Sequence, residues 1–201
     1  MDYRVELQEM ISKKNLMNSY KLYFLKTILA NVSTAQSTFT FDQMARWMVA
    51  YSFADVCRLK KRIRPLDRLF DVAVLVIEEE DLMESSSVNK VFSTLEKTSN
   101  SKICKELRSL CYYVPYRLLA YRWQDELRGR TDSEKNLLIE QISQSDDRNM
   151  YSIFTISKSV REIEIREKWI NYIMNNRESL LLWIDQEIKK FVWVSENDLC
   201  R

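Results

Sequence analysis

Histidine is absent from all 201 residues, and glycine occurs once, at Gly129. Without histidine, no Ser-His or Cys-His pair can form, because the base that takes the nucleophile's proton is missing. With a single glycine, no glycine-rich loop can cradle a phosphate, since close backbone approach there requires glycine. A metal site would have to be built from cysteine and carboxylate alone. Only two prolines are present, so tight turns are scarce, and all-β architectures, which use such residues at every turn, are disfavoured. No long apolar run exists. The longest stretch, Val72 to Ile77, falls far short of the roughly 20 residues of a membrane helix.

What is present describes a folding, near-neutral chain. The apolar fraction is 46% and the charged fraction 30%, which excludes disorder for the chain as a whole. The 31 basic and 29 acidic side chains leave a net charge of +2, too small to indicate a nucleic-acid binder unless cations cluster locally. The N-terminal MDYRVELQEMISKK scatters acids and has no apolar core of signal-peptide length, so cytoplasmic residence is expected. Cys57, Cys104, Cys111 and Cys200 form no CxxC. They read as reduced, mostly buried thiols, with neither zinc nor any other cofactor expected.

Helical periodicity dominates. Tyr20, Tyr23, Phe24, Thr27 and Ile28 mark one buried face ending near Asn31. After the polar NVSTAQST, Thr40 and Gln43 have the spacing of a capping box. The helix it opens places Phe41, Met44, Met48 and Tyr51 on one face beside Trp47. Pro65 suits the first turn of the next helix, which runs through Leu66, Leu69, Phe70, Ala73, Val76 and Ile77. Ser85, Ser86 and Ser87 offer caps for a helix with Val88, Val91, Phe92 and Leu95. A stripe of Ile103, Leu107, Leu110, Cys111 and Val114 should stop at Pro115. Thr131 and Glu134 form a second capping box ahead of Leu138 and Ile142. YSIFTIS near Tyr151 is the best short strand. From Ser159 onward two further helices are expected, the first with Val160, Ile163, Ile170 and Ile173, the second with Leu181, Ile184, Ile188 and Phe191. The segments around 33–39 and 143–150 are expected to be flexible loops. The fold class is therefore all-α: one domain over residues 1–201 with about seven to nine helices and at most a minor β-hairpin. Trp47, Phe70, Phe92, Trp169, Trp183 and Ile184 are expected in one contiguous core.

Three constellations could support function. RLKKRIRPLDR places Arg58, Lys60, Lys61, Arg62, Arg64 and Arg68 against the single Asp67. Clustered cations neutralise phosphates and release counterions; the same charges could equally pair with Glu78, Glu79, Glu80 and Asp81 around a solvated loop. CYYVPYRLLAYRW interleaves Tyr112, Tyr113, Tyr116, Tyr121 and Trp123 with Arg117 and Arg122. Aromatics stack bases and cations meet the backbone of single strands, but the same residues would also anchor a half-buried connector. The acidic run ending at Glu84 reads as a solvated helix end, since consecutive helical carboxylates diverge and do not converge on a metal.

The segments NSYKLYFLKTIL (Asn18 to Leu29), FDQMARWMVAYSFADV (Phe41 to Val56), PLDRL, YVPYRLL and WINYIMNNRESLLLWI (Trp169 to Ile184) occur in an order that resembles the helical region preceding the nuclease module of bacterial HNH endonuclease-like proteins. The resemblance spans most of the chain. It implies a helical accessory region for DNA engagement, target recognition or partner docking. The HNH module itself is missing, and no histidine exists to build one, so no catalytic residue of that family transfers and no enzymatic activity is expected. Two explanations fit: part of a longer protein, or a chain that does without the nuclease. The partners the sequence admits are DNA, a nuclease module or other protein, and a second copy of the chain. No membrane is expected. The leading expectation is a non-catalytic DNA-contacting module using Arg58, Lys60, Lys61, Arg62, Arg64 and Arg68, with Arg117 and Arg122 secondary. The alternative is a protein–protein or dimerisation adaptor without nucleic-acid binding.

Overall fold

A computed structural model of the protein describes residues 2–12, 14, 16–59 and 67–197. Among them, helices dominate: α1 (Tyr3–Met10), α2 (Tyr20–Asn31), α3 (Phe41–Leu59), α4 (Leu69–Glu79), α5 (Val88–Lys97), α6 (Ser101–Leu110), α7 (Val114–Leu119), α8 (Gln124–Leu127), α9 (Asp132–Ser145) and α10 (Glu167–Asn197). Eight of them run eight residues or longer, in line with the all-α expectation. A 3-10 turn, Ala120–Arg122, links α7 to α8, and three strands complete the fold: β1 (Thr38–Thr40), β2 (Tyr151–Thr155) and β3 (Arg161–Ile165).

The centre of the molecule is α2. Leu22, Tyr23, Phe24, Leu25, Thr27, Ile28 and Leu29 are all fully buried, and none of the helix is fully exposed. The expected single apolar face is therefore an apolar cylinder, because α3, α7 and α10 pack around it. Helix α3 in turn supports α4, α5 and α6. Each large side chain buried this way contributes about 1.5–3 kcal/mol. Trp169, Trp183 and Ile184 lie in the resulting contiguous core, with Trp47, Phe70 and Phe92 packed half-buried against it. Trp47 stacks on Phe92 with ring centroids 3.7 Å apart.

Both capping boxes form. The Thr40 amide donates to Gln43 Oε1 at 2.9 Å and the Gln43 amide to Thr40 Oγ1 at 3.1 Å; Thr131 and Glu134 repeat the pattern at the start of α9. Ser87 accepts the Lys90 amide at the start of α5. Pro115 opens α7 instead of merely ending the preceding stripe, since its missing N–H falls in a first turn where no intrahelical partner exists. Pro65 lies outside the described residues.

The C-terminal third corrects the expected pair of helices. Residues 161–165 form β3, the middle strand of an antiparallel sheet in the order β1-β3-β2, and Glu167–Asn197 is one 31-residue helix. Glu162 and Glu164 alternate with buried Ile163 and Ile165, the two-residue period of a half-buried strand. Phe39, Ile163 and Ile153 align across all three strands and point inward together. The polar segment before α3 is thus partly strand, not wholly loop. The segment 143–150 is also tied down. Asp146 accepts Arg148 Nε at 2.9 Å and Nη2 at 2.8 Å, and this guanidinium holds its carboxyl down at about 2.

Scarcity of glycine shows at the helix ends. Helices commonly finish on a left-handed glycine that lets the last carbonyls find donors. Here the only positive-φ glycine is Gly129, at φ 76°, in the turn between α8 and α9. Distant arginines take over elsewhere. Arg177 of α10 donates to the carbonyls of Ala30, at 3.2 Å, and Val32 at the end of α2. Arg166 donates to the carbonyls of Ser143, Gln144 and Asp146 at 2.7, 3.1 and 3.4 Å, closing α9. Cations are also favoured there by the helix dipole.

Replacing Arg177 by Ala should therefore lower unfolding free energy by about 1–3 kcal/mol, through part-buried carbonyls left without donors. Arg177→Lys should recover only part, because an ammonium lacks the planar fork. Urea unfolding monitored by circular dichroism reads both; an unchanged midpoint in the alanine variant would show that water satisfies these carbonyls equally well.

Candidate cationic cavity

The sequence-predicted cations do not share one environment. Arg58 is exposed on the last turn of α3. Lys60, Lys61, Arg62 and Arg64 lie outside the described residues. Arg68 precedes α4 and pairs with Glu106 of α6. Its backbone N–H donates to Tyr20 Oη at 2.7 Å, while the buried Asp67 beside it accepts the Ser19 amide at 2.9 Å. Burial raises the Asp67 carboxyl above its usual range and pushes the Tyr20 hydroxyl up to about 12. These contacts fasten the end of the basic segment to the start of α2. The acidic run engages elsewhere: Glu79 accepts Lys102 Nζ at 2.9 Å and Glu80 pairs with Thr98.

The aromatic-basic segment divides between core and surface. Tyr116 and Trp123 are buried at 2% and 6% exposure, so neither can stack a base. Arg122 is turned inward, its Nη2 2.6 Å from Glu6 and its Nε donating to Tyr121 Oη at 2.9 Å, and it fastens α1 to the connector after α7. Tyr112 and Tyr113 are the exposed aromatics of this segment, edge to face at 4.6 Å. Arg117 faces outward. It donates to Asp132 at 2.7 Å and Asn136 at 3.2 Å on α9, with its guanidinium 5.5 Å from the Tyr113 ring.

Arg117 also belongs to a site that sequence reading missed. It lines a cavity of about 330 Å³ together with Lys14, Lys21, Arg128 and Lys135, and none of the described residues lining that cavity is acidic. Tyr121, Leu127 and Met17 supply apolar wall. The volume lies at the lower end of small-ligand sites, about 300–1,000 Å³. Three of the cations have carboxylate partners: Lys14 with Glu9 at 3.4 Å, Arg117 with Asp132 at 2.7 Å and Arg128 with Asp125 at 2.8 Å. Among the described residues, Lys21 and Lys135 have none.

Lys21 is the unusual member. Desolvation on the packed flank of α2, followed by repulsion from Arg117, pulls its ammonium down from 10.5 to about 8. A shift of that size corresponds to about 3 kcal/mol of unfavourable charging at neutral pH. A lysine set into an apolar helix could have been flagged from NSYKLYFLKTIL. The convergence of positions 14, 21, 117, 128 and 135 could not, because it is created by tertiary packing. A second, smaller cavity of about 110 Å³ is apolar apart from Glu84 and Cys57, whose thiol burial raises. Among the described residues, no group of three His, Cys, Asp or Glu side chains could hold a metal, and no helix is long and apolar enough to cross a membrane.

Below pH 8 Lys21 is charged in both folded and unfolded chains, so its desolvation cost is fully present. Between about 8 and 10.5 the folded chain releases the proton first, and stability should rise with pH through that window. Lys21→Met should accordingly stabilise the chain at pH 7 by about 1–3 kcal/mol and flatten this rise. Thermal melts at several pH values measure both effects, and a destabilised variant would contradict the desolvated charge. Compared with protein-family models, curated proteins and solved structures, the chain matches none of them.

Proposed function

We propose that the protein is a non-catalytic helical module that binds nucleic acid, DNA in the first instance, through the cationic cavity at the start of α2. The observation that carries this reading is the cavity itself: five cations from α2, α7, α9, the segment before α2 and the residue that follows α8, with no acid among the described lining residues. Side chains that merely keep a surface soluble are mixed in sign. A cluster of one sign, with two members lacking partners among the described residues, raises the local concentration of phosphate.

The resemblance to the helical region of HNH endonuclease-like proteins supports the same assignment, as the helix quoted for it, α2, supplies Lys21. On this reading the chain positions DNA in a bacterial cytoplasm and leaves cleavage to a nuclease module or partner. Lack of histidine favours the division of labour, because acid–base chemistry near neutral pH loses its usual group.

Fluorescence anisotropy with a short labelled DNA should show affinity falling steeply between about 50 and about 200 mM salt. Changing both Lys21 and Lys135 to Met should weaken binding and reduce the salt slope by about two, one per lost phosphate contact. Absence of binding at the lowest salt, or a double variant that binds as the wild type does, would remove the nucleic-acid reading in favour of a protein adaptor.

A further inference from the structure

We infer that the cationic cavity seats a terminal phosphate, the phosphomonoester dianion at the end of a DNA strand, in preference to an internal phosphodiester. The inference rests on the nucleic-acid reading above and narrows it to one chemical group. The first argument is charge. Lys14, Arg117 and Arg128 are each neutralised by a carboxylate, leaving Lys21 and Lys135 as the two cations without a partner among the described residues. Two uncompensated positive charges match the charge of a phosphomonoester at neutral pH, about −1.5 to −2. An internal phosphodiester brings only one.

The second argument is shape. The lining comes from the segment before α2, the first turn of α2, α7 and the chain after it as far as Arg128, and α9, so the cations gather at one open depression and do not line a long track. An internal phosphate must let the strand enter and leave, whereas a terminal one can be approached from a single side. The third is donor type. The Arg117 guanidinium is held by Asp132 and Asn136 at 2.7 and 3.2 Å. That leaves the two ammonium groups, each with three rotatable donors, to meet the oxygens of a tetrahedral anion. Tyr121, Leu127 and Met17 beside them suit the sugar and base of the last nucleotide. A bound dianion would also offset, by charge attraction, the desolvation that holds Lys21 at about 8, so affinity for it should fall as pH rises through that value.

The test uses one short single-stranded DNA in three forms: hydroxyl-ended, 5′-phosphorylated and 3′-phosphorylated. For the wild type, at least one phosphorylated form should bind about tenfold tighter than the hydroxyl-ended form. Lys21→Met should erase that advantage, while Lys158→Met, at the exposed β2–β3 turn, should keep it; a melting temperature for Lys21→Met at or above wild type shows that the variant folds. Equal binding of all three forms would overturn the terminal-phosphate assignment and leave general DNA binding intact. No binding of any form, at any salt, would overturn both. Inorganic phosphate and a mononucleotide serve as competitors. If either binds as tightly as the phosphorylated strand, the site recognises a free small anion and the strand-end assignment fails.

Discussion

The burial of α2 on every side is the constraint from which the rest of the architecture follows. A helix with Leu22, Tyr23, Phe24, Leu25, Ile28 and Leu29 all removed from water cannot sit at an edge. It needs walls, and α3, α7 and α10 provide them from positions far apart in the chain. Its polar groups must then be served internally. Thr27 donates its hydroxyl to the Tyr23 carbonyl at 2.9 Å, and Lys26 reaches Asp185 of α10 at 2.8 Å. The Tyr23 hydroxyl donates to Asp55 at 2.9 Å. Lys21 is the exception: among the described residues it has no carboxylate partner, and it opens onto the cavity.

Glycine scarcity shapes the same framework from the other direction. Where helices lack a glycine to turn the chain back on itself, they end on extended residues such as Val32, Thr98 and Asp146. The carbonyls this leaves at α2 and α9 are met by Arg177 and Arg166, both contributed by the β3–α10 region. One segment late in the sequence therefore closes two helices formed earlier. Asp2 and Tyr3 extend the same interdependence to the N-terminus: Asp2 caps α1, and Tyr3 packs edge-on to Trp169 at 4.8 Å and stacks on Tyr172 at 4.6 Å.

Local signals were legible in the sequence wherever a few neighbouring residues decide the structure. Thr40 with Gln43, Thr131 with Glu134, and Ser87 before Val88 each predict a helix start that forms. Failures occurred where a short pattern satisfies two periods. Ile163, Ile170 and Ile173 fit a helical stripe, yet Glu162 to Ile165 alternates with the period of a strand, and pairing with β1 and β2 selects the strand. Between Glu167 and Asn197 no glycine or proline interrupts the chain, so the two expected helices are one. The site was less legible than the fold. Arg117, flanked by tyrosines, does line the cavity, while Arg122, beside Trp123 at the other end of the same segment, has similar surroundings in sequence but pairs internally with Glu6. Nothing local separates those two arginines; which of them meets Glu6 is decided by where α1 docks.

Lys21 connects the framework to the proposed role. An apolar residue at that position would extend the buried surface of α2 and avoid the cost of a desolvated ammonium. A lysine there lowers stability at neutral pH, and its nearest charged influence, Arg117, repels it. Structural logic alone gives no reason for Lys21 to share one open depression with four other cations. An anion gives one, since a dianion bound there would offset the repulsion from Arg117 and replace the lost hydration of Lys21 with charged hydrogen bonds. Held on the buried helix α2, the ammonium has already lost much of its hydration in the free protein, so the desolvation that makes Lys21 unfavourable there is what would make it an effective anion ligand.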